Sequence, residues 1–270
     1  MRTTLLLSVL LISTCQPAEA QAPDAAQIFR DVQSKYASLQ SYSAVGEVVS
    51  VVTTETTGPS QEIRHTFTIK LARPQMYRID WEQNNQFFSN KGSVWSDGES
   101  RYVTLAGQTS QPANTQTALA MATGVSGGAA NTIPAIFLDL PSSGLSRNAN
   151  GVVLKGEERI DGDDCYVIKS TAGNTDSTYW ISKDTKLIRQ VRRDSSGNFN
   201  PPEMTDDLAR QTLRSMGRPV TSEAVRELQA QMASMQKSIQ GLKSSYSIET
   251  QHQIKINQPM TPADFRDQGK

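Results

Sequence analysis

The sequence predicts an α+β fold, in which a strongly curved antiparallel sheet of about ten strands wraps round an N-terminal helix and inserted helices. Three observations predict this fold. Short segments in which apolar and polar residues alternate recur along the chain, as in strands with one buried face. One helical pattern precedes these segments. Further helical patterns interrupt them at two places.

Residues 1–20 have the pattern of a secretory signal peptide. A basic residue near the start is followed by an apolar run over residues 4–12 and by an A-x-A cleavage site at Ala18-Glu19-Ala20. We therefore expect secretion and cleavage after this site. The alternative is a lipidated N-terminus at Cys15, which would anchor the protein to a membrane. Thr14 fits poorly before a lipidated cysteine, so cleavage after residue 20 is the preferred interpretation.

Composition and charge narrow the class of protein. The chain has 270 residues, 37% of them hydrophobic, with 27 Lys and Arg against 27 Asp and Glu. A balanced chain has no general electrostatic attraction to nucleic acid or to an anionic membrane, so neither is expected as a partner. Beyond residue 20 a single cysteine remains, Cys165, and we expect it to be buried as a small hydrophobic side chain.

The first predicted element after the signal peptide is an amphipathic helix that begins after Asp24, its N-cap, and ends near Leu39. Its apolar residues are spaced by three and four, so they share one face. We expect this face to pack against the core of the sheet. It carries Ile28, Phe29, Val32, Tyr36 and Leu39.

Antiparallel strands are then predicted by alternation and by turn signals. The clearest alternation covers residues 62–73, where Ile63, His65, Phe67, Ile69 and Leu71 face one way and polar residues face the other. Asp97-Gly98 predicts a tight hairpin. The predicted strands cover residues 43–54, 62–73, 76–81, 94–95, 102–103, 152–160, 165–170, 178–182, 186–194 and 246–256.

Helices are predicted where the strand pattern is interrupted. Residues 107–132 are mostly small and polar, with a helix-prone piece at 117–123, and residues 133–140 form a short helix. Residues 201–244 are helical in pattern, with a break at Gly217-Arg218-Pro219. They predict a helical hairpin that folds onto itself or onto the domain, or else a helix for self-association or a partner. The seam of this helix has heptad spacing and consists of Val225, Leu228, Met232, Met235, Ile239 and Leu242.

The sequence contains no group of residues typical of catalysis or of metal binding. Residues 124–128 match the G-x-S-x-G nucleophile pattern, but they lie in a small, polar stretch rather than between a buried strand and a helix. The two histidines, His65 and His252, belong to no cluster with metal-ligand spacing. We therefore expect no catalytic residue, no metal site and no cofactor, and a protein that is not an enzyme.

Residues 71–103 carry a resemblance to a known family. A strand that ends in Arg73-Pro74 is followed by Arg78-Ile79-Asp80-Trp81 and by a segment that closes on Trp95-Ser96-Asp97-Gly98. This order and spacing resembles the periplasmic lipoprotein carriers LolA and LolB and their relatives, which include RseB, mycobacterial lipid-carrying lipoproteins and uncharacterised predicted periplasmic proteins. Residues 180–187 resemble the same family.

The resemblance implies a periplasmic protein with an unclosed β-barrel. In that family a helix plugs the mouth of the curved sheet, and a pair of helices, here within residues 107–148, closes over a cavity. It implies a single domain over residues 21–270. The helical hairpin 201–244 is an insertion that we do not expect in the compact carriers.

Two functions are consistent with these observations. The first is a periplasmic carrier or binding protein for lipoproteins or other acylated or hydrophobic molecules, held non-covalently on the concave face of the sheet. The predicted ligand-binding residues are Phe29, Val32, Tyr36, Phe67, Ile69, Leu71, Ile79 and Trp81. The same residues would look identical in a filled core. The second is a non-enzymatic envelope module that binds a partner protein, or itself, through the seam of hairpin 201–244.

Overall fold

The computed structural model of the protein describes residues 23–54, 60–84, 89–105, 107–140, 151–172, 175–196, 204–239 and 242–267. The predicted signal peptide and Cys15 lie outside this part of the chain. The helices of the described part are α1 (Ala25–Ser38), α2 (Thr115–Thr123), α3 (Thr132–Phe137), α4 (Asp206–Ser215) and α5 (Ser222–Ile239). A short 3₁₀ turn, Pro262–Asp264, follows the last strand.

Eleven strands form one antiparallel sheet in the order β6-β5-β4-β3-β2-β1-β11-β10-β9-β8-β7. The chain builds one half outward from β1 to the edge strand β6, restarts at the other edge with β7, and returns through β11, which pairs with β1. The strands are β1 (Ser41–Thr54), β2 (Gln61–Ala72), β3 (Met76–Asn84), β4 (Ser89–Asp97), β5 (Arg101–Leu105), β6 (Gln108–Ser110), β7 (Val152–Ile160), β8 (Asp163–Ala172), β9 (Thr175–Ser182), β10 (Ile188–Ser196) and β11 (Leu242–Ile256).

The predicted α+β class is confirmed, and the sheet curves round its helices. Edge strands β6 and β7 do not pair with each other, so the described sheet is not closed. One core cluster nevertheless joins residues from β5 to β8. Helix α1 touches both halves: the ring of Phe29 packs edge-on against Tyr179 of β9 at 5.3 Å, and that of Tyr36 lies 5.9 Å from Tyr42 of β1.

Strand β2 has the alternation that the sequence predicts. His65, Phe67, Ile69 and Leu71 are buried, and the residues between them are exposed. Helix α1 also begins as predicted, because the Asp24 carboxylate accepts a hydrogen bond from the Ala26 N–H at 3.1 Å. The inner face of the sheet therefore takes its apolar character directly from a period of two in the sequence.

Cys165 is fully buried, as predicted, but it lies on the other face of the sheet. It packs with Val167 and Trp180, whereas the neighbouring Ile168 belongs to the main core. Burial raises the pKa of the Cys165 thiol to about 11. The side chain is therefore a neutral packing element at physiological pH.

Helices α4 and α5 pack against each other as a hairpin. Their shared core contains Leu213 of α4 and Val225, Leu228 and Met232 of α5. Three members of the predicted seam are thus engaged within the chain, and the side chains of Met235 and Ile239 lie outside the described part. The prediction of helix up to residue 244 was wrong, because Leu242 begins β11 and pairs with the last residue of β1. Pairing with β1 places Leu242 in a strand, although its spacing from the preceding apolar residues fits a helix.

Candidate functional site

The eight predicted ligand-binding residues lie together in one buried cluster. None is more than 3% exposed. Three of them lie on α1, and the same cluster includes Leu119 of α2 and Ile133 and Phe137 of α3. In the described structure the inner face is filled by protein side chains. The remaining five of the eight residues come from β2 and β3, which pair directly, with Phe67 opposite Trp81 and Ile69 opposite Ile79.

Two aromatic rings of this cluster lie over glycines of the neighbouring strands. A Cβ at Gly46 would be closer than 3.0 Å to the ring of Phe67, and one at Gly92 would be equally close to the ring of Trp81. The four residues form one cross-strand row, Gly46, Phe67, Trp81 and Gly92. The rings occupy the places where side chains of the adjacent strands would lie, and this fixes both rings against the sheet.

The hydroxyl groups of two buried tyrosines bring polar atoms into this apolar interior. The Tyr36 hydroxyl accepts a hydrogen bond from the Ile188 N–H at 3.3 Å, which joins α1 to the start of β10. Burial raises the pKa of both Tyr36 and Tyr42 well above the usual range, so both remain neutral.

Arg73 ties the helical layer to the end of β2. Its guanidinium donates to the backbone carbonyls of Leu39 at 3.2 Å, Tyr36 at 3.3 Å and Phe137 at 2.8 Å, and it lies 4.7 Å from the centre of the Phe137 ring. One side chain therefore satisfies carbonyls at the C-terminal ends of both α1 and α3, where a positive charge is favourable. The sequence places Arg73 only at the end of a strand, because no local pattern shows which helices its side chain contacts.

A second polar contact holds the start of α3. Glu249 of β11 is 1% exposed, and its carboxylate accepts hydrogen bonds from the Thr132 hydroxyl, from Arg193 at 3.3 Å and from the Gln251 amide at 2.8 Å. Burial raises the pKa of Glu249, and the charge of Arg193 opposes that shift. Because Thr132 is the first residue of α3, this buried group fixes the helical layer to the middle of the sheet.

The sequence of β10 by itself predicts that Arg189, Arg192 and Arg193 are solvated charges on the edge or outer face of the sheet, and for Arg193 this prediction was wrong. Arg193 faces the inside of the sheet, where its guanidinium also donates to the Thr132 hydroxyl at 2.5 Å. Alternation explains the placement, because Arg193 lies two residues after the buried Val191 and so shares its face. That spacing was available in the sequence, whereas the buried carboxylate partner was not.

The segment between α2 and α3 contains the G-x-S-x-G match. Ser126 is fully buried, and its hydroxyl donates to the Thr123 carbonyl and accepts from the Ala130 N–H, each at 3.2 Å. Gly127 packs tightly on the sheet, since a Cβ there would lie 2.9 Å from His65 Nδ1 and 3.2 Å from the Cβ of Val48. Burial lowers the pKa of His65. These residues shape a compact turn between two helices.

Two sizeable cavities open beside this core. A groove of about 750 Å³ is lined by Phe67 and Trp81 of the aromatic row and by polar residues that include Glu47, Asp80, Lys91 and His252. A cavity of about 640 Å³ lies between the α4–α5 hairpin and the edge formed by β5, β6 and α2. Within the described residues no group of three or more His, Cys, Asp or Glu side chains is placed to hold a metal ion. None of the described helices is long and apolar enough to cross a membrane.

The chain belongs to the family described as "Predicted periplasmic protein (DUF2092)", whose model matches residues 25–216. The periplasmic location expected from the sequence is therefore confirmed at the level of the family. No curated protein matches the chain.

Among solved structures, the Mycobacterium tuberculosis lipoprotein LppX is 13% identical with a TM-score of 0.43, and the match covers 88% of this chain and 97% of that one. LprF from Mycobacterium bovis is 12% identical with a TM-score of 0.39, over 89% and 96% of the two chains. A putative outer membrane lipoprotein-sorting protein domain from Vibrio parahaemolyticus is 10% identical with a TM-score of 0.35, over 90% and 96%.

Proposed function

We propose that the protein is a periplasmic carrier or binding protein for acylated or other hydrophobic molecules, which it holds non-covalently on the inner face of the sheet. One observation carries this proposal: a continuous apolar face, from β5 to β8, is covered by separate short helices rather than by a second sheet. The proposed contact residues are Phe29, Val32, Tyr36, Phe67, Ile69, Leu71, Ile79 and Trp81.

The helical cover is suited to movement. Helix α2 has nine residues and α3 has six, and helices of this length have little stability of their own. They stay in place through apolar packing and through a few polar contacts, chiefly those of Arg73 and Glu249. Displacement of α2 and α3 would make the apolar face of β2 and β3 accessible to a ligand.

Burial of an acyl chain supplies free energy toward such a rearrangement. A chain of about 16 carbons gains on the order of 10 kcal/mol when buried, at about 0.8 kcal/mol for each methylene group. When the helices move, the acyl chain covers the apolar face of the sheet in their place, so this face stays shielded from water. The binding needs no charged group in the interior, which agrees with the apolar character of the eight residues.

The chemistry of the nearby nucleophiles supports binding rather than catalysis. Both hydrogen bonds of the Ser126 hydroxyl are to the backbone, so it faces no base. The Cys165 thiol has a raised pKa and is fully buried on the far side of the sheet. Neither group is activated in the way that covalent catalysis requires.

A disulfide lock tests the proposal. Val48 of β1 and Gly127 between α2 and α3 can be joined, because a Cβ at Gly127 lies 3.2 Å from that of Val48, close to the separation of about 3.5–4.5 Å in disulfides. Gly127 has a φ of +67° and a Cβ there also lies 2.9 Å from His65 Nδ1, so the cysteine strains the reduced double variant as well, and that variant is the reference for the lock. We expect the oxidised Val48→Cys/Gly127→Cys protein to bind a fluorescent fatty acid at least about tenfold more weakly than the same protein after reduction.

The two single variants are the controls for this lock, since neither can form the bond. Mass spectrometry of the oxidised protein establishes that the disulfide has formed. Equal binding by the locked and the reduced protein would contradict a site beneath α2 and α3.

A further inference from the structure

The cavity beneath the inserted hairpin has apolar walls from three parts of the chain. Leu105 of β5 and Met121 of α2 form one side, and Met216, Pro219 and Leu228 of the hairpin form the other. Its volume of about 640 Å³ lies within the range of about 300–1,000 Å³ that is typical of ligand pockets. Two methionines among these five residues let the walls adapt to a flexible chain.

The hairpin is fixed to the sheet edge beside this cavity. The Ala113 N–H donates to the Ser215 carbonyl at 3.3 Å, across the boundary between the α4–α5 hairpin and the segment after β6. Gly217 has a φ of +69° and lies directly against the backbone of Gln111, where a Cβ would be closer than 3.0 Å to the carbonyl oxygen. The hairpin and the segment after β6, which both border the cavity, are therefore in direct contact.

Among the described residues that line the cavity, one is charged, the cation Arg218. Arg218 reaches Glu227 at 3.4 Å, but the two side chains are 37% and 54% exposed, so this pair contributes little. The cavity is also lined by the neutral polar residues Gln108, Thr109, Ser110, Gln111 and Gln231. A cavity that combines apolar walls with a single arginine and neutral hydrogen-bonding groups is complementary to a hydrocarbon chain with an anionic head.

The cavity also borders the proposed ligand site. Met121 lines it from α2, and both Met121 and Leu105 pack against the main core. The same helix covers the inner face of the sheet through Ala118 and Leu119. An acyl chain that begins in the hairpin cavity can thus continue beneath α2 once that helix moves.

We propose that the hairpin cavity binds the head-proximal part of a single acyl chain, with an anionic carboxylate or phosphate head beside Arg218. This inference rests on the proposed function and deepens it, because it assigns the inserted hairpin as the part that selects anionic acyl ligands. The remainder of the chain then lies against the inner face of the sheet.

A cavity-filling variant tests this assignment. Gln231→Trp places a large side chain at the cavity wall, and Gln211→Trp makes the same change at an exposed position of α4 that does not line the cavity. In fluorescence titrations with dansyl-undecanoic acid, we expect Gln231→Trp to bind about tenfold more weakly than the wild type, since displaced methylene groups lose their burial. Gln211→Trp should bind like the wild type.

The charge preference is tested with a second variant and two probes. Arg218→Gln should weaken binding of dansyl-undecanoic acid about fivefold and leave binding of an uncharged dansyl-undecanol unchanged. Equal affinity of Gln231→Trp and Gln211→Trp would overturn the assignment of the cavity. Equal loss of both probes on Arg218→Gln would overturn the anionic preference.

The two proposals fail in different ways. If the disulfide lock weakens binding and Gln231→Trp does not, the inner-face site stands and the hairpin assignment falls. If Gln231→Trp weakens binding and the lock does not, the acyl chain lies in the hairpin cavity and the inner-face site falls. If the wild type takes up no probe, both proposals are overturned.

Discussion

The row of aromatic rings and glycines on the inner face allows a quantitative test of how the sheet is packed. In Gly92→Ala the new methyl group meets three heavy atoms closer than 3.0 Å: two of the Trp81 indole and the carbonyl oxygen of Thr104. Ordinary contact begins at 3.4 Å, so something must shift. Trp81 is 3% exposed and lies opposite Phe67, which itself covers Gly46, so a shift of the indole also disturbs the neighbouring ring.

The expected cost follows from this crowding. Overpacking of a core by one methyl group costs about 1–3 kcal/mol, and the backbone oxygen among the three contacts places Gly92→Ala in the upper half of that range. For a chain of this size, 2–3 kcal/mol corresponds to a fall in Tm of about 4–12 °C. Thermal unfolding followed by far-UV circular dichroism measures the change.

The matched control is Gly124→Ala at the end of α2. A Cβ at Gly124 meets nothing within 4 Å, and the residue has a helical φ of −66°. We expect this variant to be as stable as the wild type or more stable by about 0.4–1 kcal/mol, because alanine restricts the unfolded chain. A Tm for Gly92→Ala equal to that of Gly124→Ala would refute the packing of Trp81 over Gly92.

Three further predictions concern the polar contacts of the helical layer and the hairpin. In Arg73→Met the carbonyls at the ends of α1 and α3 lose their charged donor, so urea denaturation should show a loss of about 3 kcal/mol; an unchanged midpoint would contradict this role. Burial raises the pKa of Glu249 in the folded state. The stability that Glu249 contributes is therefore fully present below its pKa in the unfolded chain, about 4.3, and is lost as pH rises through its pKa in the folded protein. The free energy of unfolding of the wild type minus that of Glu249→Gln should therefore fall with rising pH, and a flat difference would argue against a buried carboxylate. Gly217→Ala should loosen the hairpin and speed its cleavage by protease while the Tm of the sheet stays unchanged; protection equal to that of the wild type would show that the contact with Gln111 does not hold the hairpin.

Local patterns in the sequence predicted the parts of the fold that local chemistry determines. Asp24 and the three-and-four spacing of Phe29, Val32 and Tyr36 specify where α1 begins and which face it buries. The period of two in β2 specifies its inner face. Both periodicities are read from neighbouring residues, so no knowledge of the tertiary fold is needed.

The polar contacts of the candidate site could not be read in the same way. Glu249, Arg193 and Thr132 meet only because β11 pairs with both β1 and β10 and because α3 folds back over them. Those pairings join residues that are 56 and 117 positions apart in the chain. No local period specifies such a register, and a carboxylate in a strand is equally typical of an outer face.

The hairpin shows the limit of helical spacing as a guide. Its apolar stripe predicted a helix up to residue 244, but Leu242 belongs to β11 and pairs with β1. The cavity beneath the hairpin was not predicted at all, because its walls come from β5, α2 and the α4–α5 turn, which lie far apart in sequence. Gly217-Arg218-Pro219 carried the one local signal, a break between two helices.

Mass spectrometry of the protein purified from the periplasm under non-denaturing conditions tests acyl binding most directly. The wild-type protein should carry an acylated species at close to one molecule per chain, and Gln231→Trp should carry less than Gln211→Trp. Organic extraction followed by lipid analysis then identifies the head group. Absence of any acyl species in the extract, together with no uptake of a fluorescent fatty acid by the same preparation, would contradict the proposed function.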